Sequence, residues 1–263
     1  MQAQSYSRTI LETALRHALE RTEFALFYQP RMDLKTRRIT GVKALLRWKH
    51  PELGLMMPLD FLPVLEESAL ILPVGAWVMA TAVEQARSWM AQGQVLTVSV
   101  SLSARQFYQR DIARNFAAAL EAAGVPGHCI ELEIAAGILI DRNQNCELIL
   151  RQFRQLGMSV SISDFGTGDA SLNYLKRFPT DAVKIEKCFV DDLGKPGDDS
   201  AMVRAIVAMA RTLGLRTIAS GVESGVQLEL LAGMGCDEAF GYFLGRAMAP
   251  EGIEALLRTP SPV

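Results

Sequence analysis

Val160-Ser161-Ile162-Ser163-Asp164-Phe165-Gly166-Thr167-Gly168 is the stretch whose reading decides the fold. Val160 and Ile162 alternate with Ser161 and Ser163, a period of two that marks a short strand, and the glycines that follow let the chain turn with positive φ. The strand therefore carries a carboxylate, Asp164, to its C-terminal end. In a barrel of parallel strands such ends hand their side chains to one shared cleft. The other strand ends in this chain bring Lys43, Ser101, Glu133, Lys184, Ser220 and Phe240. Two carboxylates with two lysines is an odd inventory for a metal enzyme.

Outward from this strand the pattern repeats. On its N-terminal side, Val95 to Ser101 and Ile130 to Ala135 read as strands, Ala104 to Ala123 and Asn145 to Leu156 as helices closed by Gly124 and Gly157. On its C-terminal side, strands at Ala182 to Glu186, Thr217 to Ser220 and Glu238 to Phe243 alternate with helices at Ser200 to Leu213 and Gln227 to Met234. Regular alternation of this kind is the signature of βα units. Earlier still, Thr9 to Thr22 has leucines on one helical face. Phe24 to Pro30 and Ile39 to Trp48 read as strands flanking a charged hairpin loop, Lys35 to Arg38. His50 to Pro58 reads as a loop, and Phe61 to Gly93 as a long helical region interrupted near Pro73.

About eight strands favour a (β/α)8 TIM-like barrel, an α/β fold, over an open doubly wound sheet. No GxGxxG or GxxxxGK[ST] loop follows the early strands, which removes the simplest nucleotide-cofactor folds. Residues 1–22 read as a linker helix, 23–258 as the barrel and 259–263 as a frayed tail, with Lys195 to Asp199 the expected mobile loop.

Composition narrows the function classes. At 263 residues and 49% hydrophobic content the chain can bury one large core, and a formal net charge of -2 gives no global reason to expect DNA, RNA or an anionic membrane as partner. Cys129, Cys146, Cys188 and Cys236 are scattered, without a CxxC pair or signal peptide, and predict reduced thiols and a cytoplasmic location. His17, His50 and His128 are also isolated, so zinc is not expected. No apolar run reaches the roughly 18 residues of a membrane span.

With these segments placed, the sequence resembles the EAL domain, the barrel that hydrolyses bacterial cyclic di-GMP. Tyr28-Gln29-Pro30, Ala44-Leu45-Leu46-Arg47-Trp48, Ser103-Ala104-Arg105-Gln106, Asp164-Phe165-Gly166-Thr167-Gly168, Val183-Lys184-Ile185, Gly221-Val222-Glu223 and Gly241-Tyr242 follow in the family's order, from about Phe24 to Pro250. The resemblance implies an active centre at eight positions, and five of them differ. Lys43 stands for the signature glutamate, Ser101 for an asparagine, Ser163 for the first aspartate of DDFGTG, Ser220 for the first glutamate of EGVE and Phe240 for a glutamine. Glu133, Asp164 and Lys184 match. Ala136 replaces the glutamate that steadies the loop after Asp164 in active members.

Such enzymes use divalent cations to lower the pKa of water and to neutralise the phosphodiester, and hard ions require several oxygen ligands. Here Glu133 and Asp164 face Lys43 and Lys184, a formal zero, which predicts that the Mg/Mn site is lost and that Lys43 pairs with Glu133 or Asp164. Lys43→Ala is then expected to cost about 3–5 kcal/mol. The resemblance further implies that Arg47 grips a phosphate, that Gln29, Leu46, Asp164, Glu223, Gly241 and Tyr242 meet the ligand, and that Phe240 either stacks on a guanine or fills vacated space.

The expected function is a catalytically inactive, metal-independent cyclic di-GMP receptor that relays to a protein partner, without cofactor. The alternatives are a protein-interaction module that binds no nucleotide and a weakly active phosphodiesterase. A homodimer through the face bearing the loop after Asp164, and attachment to an upstream signalling domain, are implied by the resemblance alone.

Overall fold

Ile130-Glu131-Leu132-Glu133-Ile134 shows how these strands work: isoleucine and leucine alternate with glutamate, yet all five residues are buried. Period-2 geometry sends the two sets to opposite faces. The apolar set meets surrounding helices, and the polar set must find partners inside a closed sheet.

The computed structural model describes residues 8–140, 145–166, 172–195 and 200–258. In chain order its elements are α1 (Arg8–Ala18), β1 (Phe24–Asp33), β2 (Arg38–His50), β3 (Gly54–Met56), α2 (Pro58–Glu67), α3 (Ile71–Ala91), β4 (Thr97–Leu102), α4 (Ala104–Phe107), α5 (Ile112–Ala123), β5 (Ile130–Ala135) and α6 (Ala136–Ile140). There follow α7 (Cys146–Gln155), β6 (Ser159–Ser163), α8 (Leu172–Arg177), β7 (Ala182–Ile185), α9 (Lys187–Val190), α10 (Ala201–Thr212), β8 (Arg216–Ser220), α11 (Gly225–Met234), β9 (Glu238–Phe240) and α12 (Pro250–Arg258). Strands β1, β9, β8, β7, β6, β5, β4 and β2 pair in that order, and a β1–β2 pairing closes the ring. This is the expected (β/α)8-type barrel, with β3 added outside β2.

One strand runs against the parallel set, as the hairpin loop at Lys35 to Arg38 implies. β1 is antiparallel to both β2 and β9. The reason is the short connection between Asp33 and Arg38, because parallel neighbours need a crossover of a dozen or more residues. Asp33 Oδ1 accepts from the backbone N–H of Lys35 and Thr36 at 3.0 and 2.7 Å, and Arg37 takes φ 58° to complete the turn.

Several elements differ from the sequence reading in extent. The long region after Phe61 is two helices broken at 68–70 rather than at Pro73, which sits in the first turn of α3 where its missing N–H costs nothing. The segment from Ala104 splits into α4 and α5, the last strand ends at Phe240, and the loop after His50 contains β3. Residues 1–7 of the linker, Thr167 and Gly168, 196–199 of the expected mobile loop and the tail 259–263 lie outside the described residues.

The main core lies between the barrel and its helices, with Val98, Ile130, Leu132, Val160 and Val183 facing Leu150, Phe153 and Val203 among others. A second core joins Leu11 and Leu15 of α1 to Phe24, Trp48, Phe61 and Leu65. Inside the barrel, inward positions form tiers. At the lower tier Arg31 contacts Glu131 and Glu238 at 2.7 and 2.8 Å, and Arg216 contacts the same two acids at 3.3 and 2.5 Å. Gly41 makes room, since a Cβ there would lie 2.9 Å from the Arg31 guanidinium. Ala182, Ile218 and Phe240 make a small apolar layer above, and the site begins over it.

Candidate functional site

Lys43 stands on β2 opposite Gln29 of β1, Glu133 on β5 and Lys184 on β7, so closing the barrel aims all three inward. Glu133 is the hub. Lys43 Nζ donates to its Oε1 and Oε2 at 2.8 and 2.9 Å, and Lys184 Nζ donates to Oε1 at 2.9 Å. The expected pairing of Lys43 thus goes to Glu133. Burial alone would raise the Glu133 carboxyl, but the Lys43 and Lys184 ammoniums outweigh it and hold it down at about 2. Burial and the neighbouring Lys184 press Lys43 below its ordinary value, against the pull of Glu133. Lys184 is desolvated too, yet Glu133 and Glu186 together raise it.

Phe240 forms the floor. Its ring centroid lies 5.6 Å from Lys43 Nζ and 5.9 Å from Lys184 Nζ, so the negative face of the ring supports both ammoniums. The ring is buried against Ala182 and Ile218 and also lines the cavity over it.

Above it lies a cavity of about 270 Å³ lined by Gln29, Lys43, Lys184, Lys187, Glu223 and Tyr242, with Ser220 and Gly241 also on its wall. Gln29 Nε2 donates to Gly245 O at 3.1 Å, a satisfied polar group at the rim. Glu223 pairs with Lys187 at 2.9 Å. Tyr242 is exposed, with the Arg246 guanidinium 4.7 Å over its ring. Gly241 is required by close approach, since a Cβ would meet Val222 O at 2.1 Å. A second cavity, of about 300 Å³, shares Lys43 and Leu45 with the first and includes Leu46, Glu66 and the exposed Ser101.

Arg47 does not line the first cavity. It is buried, donates to Leu46 O at 3.0 Å and lies 5.7 Å from the Phe27 ring centre, and no carboxylate among the described residues pairs with it. Burial lowers its pKa and the nearby Tyr242 raises it. Asp164 is not part of the first cavity's wall: it takes φ 57° and is exposed, and Ser163 beside it is buried.

Two residues absent from the sequence reading belong to the site. Glu186 lies 3.3 Å from Lys184 Nζ and accepts the backbone N–H of Asp164 at 3.0 Å, so it joins the cluster to the loop after β6. Lys187 lines the cavity and meets Asp191 as well as Glu223. Glu186 follows Lys184 by two, the spacing that puts both on one face of a strand, and that was the available signal. For Lys187 there was none. Among the described residues, no three His, Cys, Asp or Glu side chains converge as a metal-ligand group.

A family profile described as EAL domain matches residues 12–247. The chain belongs to the EAL family. It is 41% identical over 255 residues to MucR of Pseudomonas aeruginosa, a bifunctional diguanylate cyclase/cyclic di-GMP phosphodiesterase, covering 95% of this chain and 37% of that protein. To the cyclic di-GMP phosphodiesterase PdeR of Escherichia coli it is 39% identical over 238 residues, 90% of this chain and 36% of that one. The solved PaMucR phosphodiesterase in its c-di-GMP complex superposes with a TM-score of 0.88 at 39% identity, over 92% of this EAL chain and 99% of that chain. This EAL domain spans about a third of the length of the curated relatives it matches. Among its described residues no helix is long and apolar enough to cross a membrane.

Proposed function

We propose that this EAL domain is a catalytically inactive, metal-independent cyclic di-GMP receptor that passes ligand occupancy to a protein partner. One observation carries the reading: both oxygens of Glu133 accept from ammonium groups, and two lysines occupy the centre of the mouth. Hard divalent ions need several free oxygen ligands, whereas Lys43 repels them and Ser101 and Ser220 are weak donors. The residues present therefore do not suit the family's metal pair, and no hydrolytic step is drawn through one.

Binding does not require that chemistry. The cavity persists, Arg47 is buried without an acidic partner among the described residues, and Gln29, Glu223, Gly241 and Tyr242 keep the family's places around the mouth. Glu186 supports the relay, since it touches Lys184 on one side and the start of the loop after Asp164 on the other. Dimerisation through that loop's face and attachment to an upstream signalling domain belong to the same reading.

Calorimetric titration of cyclic di-GMP, once with EDTA and once with Mg²⁺, followed by chromatography of the nucleotide, tests it. Equal binding in both buffers with intact nucleotide is expected, and Arg47→Ala abolishes it. Linear pGpG formed in proportion to protein, and lost in Lys184→Ala, would refute inactivity. A second reading, a protein-interaction module without nucleotide, is favoured by the Lys187–Glu223 pair and by Phe240, which narrow the cavity from its wall and floor. It predicts no heat in either buffer.

A further inference from the structure

The charges that line the first cavity are not those of the whole cluster. Its wall carries the ammoniums of Lys43, Lys184 and Lys187 and only one carboxylate, Glu223. Glu133 and Glu186, which balance the lysines, are not part of that wall. A site that is near neutral in sum therefore presents a surplus of positive charge to whatever enters it.

Each ammonium also has a donor to spare. Lys43 meets the two oxygens of Glu133, Lys184 meets Glu133 and Glu186, and Lys187 meets Asp191 and Glu223. An ammonium has three N–H donors, so among the described residues one on each is left for a ligand. Lys43, with Leu45, is further common to the walls of the two cavities, of about 270 and 300 Å³. A ligand with an anionic centre between two flat groups matches that shape: charge at Lys43, one arm in each cavity.

Resting on the receptor reading above, we propose that Lys43, Lys184 and Lys187 together bind the phosphodiester groups of a cyclic dinucleotide, their ammoniums serving as the counter-charge that divalent cations supply in active relatives. Lys43 and Lys184 held by Glu133, and Lys187 held by Asp191 and Glu223, need no free metal ion at the moment of binding. Affinity should accordingly be indifferent to chelators and sensitive to salt.

The test is calorimetry in EDTA with two probes, cyclic di-GMP and inorganic pyrophosphate, on the wild-type domain and on Lys43→Met and Lys187→Met, each checked by thermal melting. The expected result is that each substitution weakens cyclic di-GMP by about tenfold or more, and that raising NaCl weakens the wild type. Should Lys43→Met fail to fold, Lys187→Met decides, because its half-exposed side chain leaves the core intact. Equal cyclic di-GMP affinity in wild type and variants would overturn the ammonium wall and leave the receptor reading standing. Pyrophosphate binding that depends on the lysines, without cyclic di-GMP binding, would do the reverse. Binding of neither probe would overturn both.

Discussion

Glu133 is one buried carboxylate serving two ammoniums, and the consequences for stability are asymmetric. Lys43→Ala leaves Glu133 with Lys184, so its cost should fall below the about 3–5 kcal/mol of a pair broken outright. Glu133→Gln removes the acid that Lys43 pairs with and leaves Lys184 to Glu186, so it should cost about 3–5 kcal/mol by urea denaturation. The pH dependence has a definite sign. The Glu133 carboxyl sits at about 2 in the folded state against an ordinary value of 4.5, so its contribution is present above 4.5 and lost as pH falls toward 2. Melting temperature should drop across that window in the wild type and drop less in Glu133→Gln.

At the scale of elements, the mouth depends on how the turn after β9 packs against the turn after β8. Val222 N–H donates to Phe240 O and Phe243 N–H to Val222 O, which draws the two backbones together at Gly241. Gly241→Ala should push them apart, because a Cβ would meet backbone atoms that cannot rotate aside. Loss of cyclic di-GMP heat with a melt lowered by a few degrees is expected, and unchanged binding would count against the cavity as the ligand site. The linker helix α1 is held by apolar burial on α2 and β2. Leu15→Ala, at a fully buried position, should cost about 2–5 kcal/mol, measured by chemical denaturation.

Across the whole molecule, one antiparallel strand closes the barrel, and its Arg31 reaches Glu131 of β5 and Glu238 of β9. Arg31→Met leaves Glu131 and Glu238 to share Arg216 and should destabilise the fold, by less at each acid than the about 3–5 kcal/mol of a pair broken outright, with the loss visible as a lower urea midpoint. The sequence by itself determined the alternation of strand and helix, the inward face of each strand and the substitutions at Lys43, Ser101, Ser163, Ser220 and Phe240, because periods of two and 3.6 are local properties of a chain. The reversal of β1 was legible as well, in the hairpin loop at Lys35 to Arg38, which is too short for a crossover. Only the tertiary structure decided that Glu133, rather than Asp164, receives Lys43, that Glu186 and Lys187 join the site, and that Arg47 stands back from the cavity. Partners 36 to 90 residues apart are set by strand register and barrel closure, and a charge carries no mark in the sequence of which opposite charge the closed sheet will bring to it.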